Sequence, residues 1–217
     1  MTTPTNTPEA RVYSGDEANE YLTALGLSQG LLWDSLAEGV RALRNTSDHH
    51  PPTAPGYYLW AETIAALRRG LQATGDWRIA NPKNRPLVIN EKTGVSITAA
   101  GGNAATGTEA MSNVARSKGQ ATRERYAPNQ LELPLFLRPA GDEDRDRGVG
   151  DWIFLYNLDK RGARGELSLP RNFTDDGYVH SWRARILLEP RDEYDQMVRE
   201  LPDEWAGDDV DFRLQEG

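Results

Sequence analysis

The chain contains no cysteine, which removes a disulfide framework, a thiolate metal site and a cysteine nucleophile together. Histidine and methionine are scarce, with three of each in 217 residues. No apolar run approaches the ~20 residues of a membrane span, and no basic-then-apolar N-terminal segment has the form of a signal peptide. These absences predict a cytoplasmic protein with no membrane partner. Lysine is rare too: 4 Lys stand against 21 Arg, alongside much Ala and Gly, a bias expected of a GC-rich bacterial coding sequence. No Gly-x-Ser-x-Gly elbow occurs, which argues against an α/β-hydrolase. There is no internal repeat.

What is present suffices for one domain with tails. The hydrophobic fraction is 38%, and six Trp and eight Tyr add apolar area that the polar residues mask. The net charge of -8 is unevenly placed. Residues 189–217 hold 11 Asp/Glu against 3 Arg, whereas residues 1–188 hold 22 acids and 22 bases. The acidity belongs to the tail, and the neutral body is free to carry a basic face.

Residues 1–14 are rich in Thr, Pro and Asn and are expected to be disordered. Asp16 to Leu25 fits a short helix. Ser28 is a suitable N-cap for a second helix reaching about Arg44, with Leu32, Leu36, Val40 and Leu43 as its buried stripe. Asn45 to Gly56, with three prolines, is expected to be a loop. A third helix is predicted from about Tyr57 to Ala73, with Trp60, Ile64, Leu67 and Leu71 inward. The period then changes from helix to strand. Strands are predicted at 77–79, 87–89 and 95–97, the last two joined through Glu91-Lys92-Thr93-Gly94 as a hairpin. Further strands are expected at 131–137, 152–158, 165–169 and 182–188, with a charged loop at 141–150 and a turn at Asp175-Asp176-Gly177. Tyr194, Met197 or Val198, and Leu201 suit an acidic amphipathic helix. Helices first and strands second predict an α+β fold: an N-terminal helical layer (15–75) packed on a mainly antiparallel sheet (76–189), followed by an acidic tail (190–217).

The most unusual stretch is the polar excursion at 101–125, between two predicted strands. Ordinary connections are about 4–6 residues, and long ones are usually functional or disordered. Gly102 and Gly107 have the G-x-x-x-x-G spacing of a P-loop, but Thr108 and Glu109 stand where the phosphate-binding Lys and the metal-binding hydroxyl belong. A true P-loop is therefore rejected. Consecutive backbone N–H groups can still bind an anion without the Lys, which makes Gly101, Gly102, Asn103, Thr106, Gly107 and Thr108 candidate anion ligands. Arg116, Lys118, Arg123 and Arg125 follow as candidate contacts to a phosphate backbone. Residues 108–117 are expected to include a short helix.

Other constellations are weaker. Asp48-His49-His50 lacks a third converging ligand, so no metal and no cofactor are predicted. Glu166, Asp159 and His180 are the candidates for proton chemistry, although Glu166 equally suits a cross-strand pair with Arg183 or Arg185. The acid, then acid-x-Lys, pattern of metal-dependent nucleases is absent. Trp205, Phe212 and Leu214 sit among carboxylates, a pattern suited to docking on a protein partner. The expectation is a non-catalytic binding protein whose excursion meets nucleic acid or another polyanion. An enzyme acting on a phosphate-bearing small molecule and a subunit of a larger assembly are the alternatives.

Overall fold

The computed structural model describes residues 10–116, 149–160, 162–192 and Val198. The predicted α+β architecture is present: three helices packed on one seven-stranded mixed sheet. The chain runs β1 (Arg11–Tyr13), α1 (Gly15–Ala24), α2 (Gln29–Arg44), α3 (Ala54–Ala73), β2 (Trp77–Ala80), β3 (Leu87–Asn90), β4 (Val95–Gly101), β5 (Gly150–Asp159), β6 (Gly162–Phe173) and β7 (Val179–Leu187). A short 3-10 turn, Pro82–Asn84, lies between β2 and β3.

Ser28 caps α2 by accepting from the Leu31 N–H at 3.2 Å, which satisfies one of the first-turn donors that no helical carbonyl can reach. The third helix begins earlier than its sequence predicts, at Ala54 instead of Tyr57. Pro55 falls in its first turn, where the missing N–H would have had no helical partner in any case. The helices α2 and α3 meet closely because Gly39 carries no side chain. A methyl group there would strike the Thr63 hydroxyl and the Leu59 carbonyl oxygen.

Strand order across the sheet is β1-β7-β6-β5-β4-β3-β2. Four pairings are antiparallel, while β1 pairs with β7 and β4 with β5 in parallel. The β1 strand falls inside the stretch expected to be disordered, and the predicted strand at 131–137 lies outside the described residues. The β3–β4 hairpin and the turn at 175–177 fall where predicted.

Strand side chains alternate between faces, so the sheet builds two cores. On one face Val95, Ile97, Ala99, Trp152, Phe154, Leu167, Leu169 and Ile186 pack with helical residues including Leu22, Trp33, Leu36, Leu67 and Leu71; Val198 joins them. On the other, Ala100, Ile153, Leu155, Val179 and Trp182 pack around Val114 with no helix residue. The excursion therefore supplies the cover on this second face.

Its length has a topological cause. In the parallel β4–β5 register Val95 faces Gly150 and Gly101 faces Tyr156. The chain leaves β4 at one end of the sheet and must return to the other before β5 begins. Parallel neighbours always require such a crossover, a dozen residues or more.

Candidate functional site

The excursion enters its crossover as a closed loop. An isolated antiparallel bridge joins Gly102 to Val114, and the Ala115 N–H donates to the Gly101 carbonyl at 2.9 Å. Asn103 ties the loop across: its side-chain oxygen accepts from Ala105 N–H at 3.2 Å and Asn113 N–H at 3.1 Å. Asn113 then acts as a piece of strand. Its amide nitrogen donates to the Val179 carbonyl and its amide oxygen accepts the Val179 N–H, both at 2.9 Å. Of the short helix expected within 108–117, nothing is formed over the described residues 108–116. Side chains and sheet edges satisfy these backbone groups instead, as Asn does wherever its amide competes with local helix.

Beneath this loop lies a buried ion pair. Glu166 on β6 is 0% exposed and Arg185 on β7 is 2% exposed. They are diagonal neighbours on the sheet, since Glu166 faces Leu187 and Ser168 faces Arg185 in the β6–β7 register. Arg185 meets the carboxylate through Nη2 at 2.5 Å and Nε at 3.1 Å. Three further donors converge on the same carboxylate: Ser112 Oγ at 2.5 Å, Ser168 Oγ at 2.7 Å and the Gly107 N–H at 2.9 Å. The remaining guanidinium hydrogens turn outward to the loop, donating to the carbonyls of Thr108 at 2.9 Å and Ala110 at 2.8 Å. The Trp182 indole N–H adds a bond to the Ser112 carbonyl at 2.9 Å. Charge-assisted bonds of this kind are the strong ones, and buried polar groups are expensive unless they are hydrogen-bonded.

Gly107 is held at φ +70, where a β-carbon would come within 3.1 Å of the Arg164 side chain and 3.2 Å of the Gly165 backbone. A left-handed residue in so close an approach is where glycine is required. The Gly107 amide, the centre of the sequence-predicted anion site, thus points at the chain's own carboxylate. Gly102 and Thr106 are buried, while Gly101, Asn103, Gly107 and Thr108 are half-buried. Arg116 is half-buried where the loop leaves the sheet; Lys118, Arg123 and Arg125 lie outside the described residues.

The three candidates for proton chemistry fall in different settings. Glu166 is the buried anchor just described. Asp159, at the end of β5, pairs with Arg164 at 2.6 Å, and Arg164 also donates to Asn157 at 2.7 Å. His180 is exposed at the start of β7. Among the described residues no group of three or more His, Asp or Glu is placed to hold a metal, and no helix is long and apolar enough to cross a membrane. Asp48 and His49 are exposed, and His50 Nδ1 accepts from the Ser47 N–H at 3.1 Å.

Of the two arginines that strand alternation offers to Glu166, Arg183 and Arg185, it is Arg185 that pairs with it, and no local spacing points to the arrival of Ser112 and Gly107. The available signal is the alternation Glu166-Leu-Ser168-Leu169, which aims two polar side chains at the face opposite the helices. No protein-family model, curated protein or solved structure matches this chain.

Proposed function

We propose that this is a non-catalytic binding protein whose excursion meets an anionic partner, nucleic acid or another phosphate-bearing polymer, through its cationic segment. The observation that supports this reading is the anchoring of the loop. Glu166 and Arg185 pin residues 107–112 to the sheet, so Arg116 leaves a fixed point and the chain continues directly into Lys118, Arg123 and Arg125. In this reading the loop amides of Gly101, Gly102, Asn103, Thr106, Gly107 and Thr108 hold the platform, and the contact to phosphate falls to the four cations. A polyanion gains affinity from each phosphate that a Lys or Arg neutralises, through release of its counterions.

Salt-dependent binding to duplex and single-stranded DNA and RNA tests it. Changing Arg116, Lys118, Arg123 and Arg125 to Ala should weaken binding and flatten the plot of log affinity against log salt by about 0.7–0.9 per lost phosphate contact. Unchanged affinity and slope in the fourfold variant would refute the proposal. The enzyme alternative, with the loop as a small-phosphate site, requires the ligand to displace Glu166 from the Gly107 N–H. Thermal shift with nucleotides and sugar phosphates addresses it, since a ligand bound only by the folded state raises the unfolding temperature.

A further inference from the structure

The helical layer, on the opposite face of the sheet from the excursion, carries an open groove of about 490 Å³ between α2 and α3. One wall is the face of α2 that presents Glu38, Arg41 and Asn45, at helical spacings of three and four. The other is formed by Tyr58 and Glu62, also i,i+4 neighbours on α3, with His50 from the connecting loop at the rim.

The groove's charges are not equivalent. Arg41 is already paired with Glu38. Glu62 is half-buried, and its carboxylate makes no hydrogen bond or ion pair with any described residue. Its carboxylate is therefore the uncompensated charge of the groove. One helical turn away Tyr58 is 39% exposed, which leaves part of its aromatic surface open to the groove. The His50 ring stands edge-on to it, with centroids 6.0 Å apart. Because His50 Nδ1 accepts from the Ser47 backbone, neutral His50 carries its proton on Nε2, so its free ring nitrogen is a donor.

We infer that this groove is a docking site for an arginine side chain of a protein partner. A planar guanidinium stacks on an aromatic face and forks onto a carboxylate at the same time, and Tyr58 and Glu62 offer that pair of surfaces one helical turn apart. The Nε2–H of His50 is then available to a carbonyl oxygen of the docked peptide. An acidic ligand has less to gain, since Arg41 is engaged by Glu38 and Glu62 repels it. This inference does not rest on the anionic-partner reading, which concerns the other face.

The test is a titration of the uniformly 15N-labelled full chain with N-acetyl-arginine amide, followed by amide chemical shifts. N-acetyl-lysine amide and N-acetyl-aspartate amide serve as comparisons. Saturable shifts at Asn45, His50, Tyr58 and Glu62 are expected, with arginine tighter than lysine. Glu62→Gln and Tyr58→Ala, each checked for a wild-type spectrum elsewhere, should weaken binding about three- to tenfold. Shifts confined to the acidic residues 190–217 would overturn the inference. Equal affinity in both variants, or tighter binding of the aspartate amide at the same residues, would overturn it as well.

Discussion

Replacing Glu166 by Gln probes the anchor on which the second face depends. The carboxylate receives five donors, from Gly107, Ser112, Ser168 and two nitrogens of Arg185. An amide has one oxygen to offer, and its NH₂ group faces either Arg185 Nε or the pair formed by the Gly107 N–H and Arg185 Nη2, none of which can accept from it. Arg185, 2% exposed, is left as a buried charge without its counter-ion. Breaking a buried pair in this way costs about 3–5 kcal/mol. For a domain of this size each kcal/mol lowers the unfolding temperature by about 2–4 °C, so a drop of roughly 6–20 °C is expected. Urea unfolding should show a reduced midpoint with an unchanged slope, because the surface exposed on unfolding is the same. Amide exchange at Gly107 and across 105–113 should accelerate more than exchange in β5 and β6, since the loop loses its tether while the strands keep theirs.

The double variant Glu166→Leu/Arg185→Met sharpens the test. An isolated buried pair can often be exchanged for apolar residues without loss. Here the exchange strands the fully buried hydroxyls of Ser112 and Ser168, each at a cost of about 1–3 kcal/mol, and removes the partners of the half-buried Gly107 N–H and of the loop carbonyls of Thr108 and Ala110. The double variant should therefore remain clearly less stable than wild type. A double variant as stable as wild type, or a Glu166→Gln change worth under about 1 kcal/mol, would refute the view that this pair organises the loop.

Three further outcomes are expected. Gly39→Ala should destabilise by about 1–3 kcal/mol, because its methyl group meets the Leu59 carbonyl of α3, whereas Gly70→Ala meets only the mobile end of Leu31 and should fall within about 0.5 kcal/mol once the gain in helix propensity is included; denaturant midpoints of the two variants decide this. Thr106 is fully buried and its hydroxyl has no hydrogen-bond partner among the described residues, so Thr106→Val should stabilise by about 1 kcal/mol in the same assay. Burial pushes the Tyr156 phenol above its ordinary value of 10.0, so an unfolded chain releases this proton at a pH where the folded chain keeps it. Its stabilising effect is complete below pH ~10 and lost as pH rises toward the folded value, by up to ~1.4 kcal/mol per unit. Tyr156→Phe should match wild type at neutral pH and show a shallower alkaline decline.

The helices were legible because their signals are local. The stripe Leu32, Leu36, Val40 and Leu43 and the Ser28 cap lie within one segment, and all four stripe residues are buried. The β3–β4 hairpin was legible for the same reason. The early start of α3 was not, because the same prolines that end a helix also suit its first turn, and only the fold chooses between the two. The parallel β4–β5 pairing and the three-residue β1 were hidden in a different way. Their partners lie about 50 and about 170 residues away, and no spacing within a segment encodes which strand becomes a neighbour. The candidate site divides along the same line. Glu166 opposite an arginine was foreseeable from strand alternation, whereas the arrival of Ser112 and Gly107 above it depends on the crossover.

The crossover changes what the glycine-rich composition of the excursion means. A small-residue stretch between strands can serve an external anion or a close internal approach, and composition alone does not separate the two. Three observations together favour the internal approach for residues 102–114. A β-carbon at Gly102 would meet Thr106, one at Gly107 would meet Arg164 and the Gly165 backbone, and the Gly107 N–H already holds a carboxylate. The sheet's own second core, around Val114 and Trp182, closes beneath them. The parallel β4–β5 pair leaves one face of the sheet to be covered by whatever chain makes the return. Small residues let that chain lie flat, and an ion pair with outward-turned guanidinium hydrogens fastens it. The glycines of residues 102–114 are thus accounted for by covering the sheet.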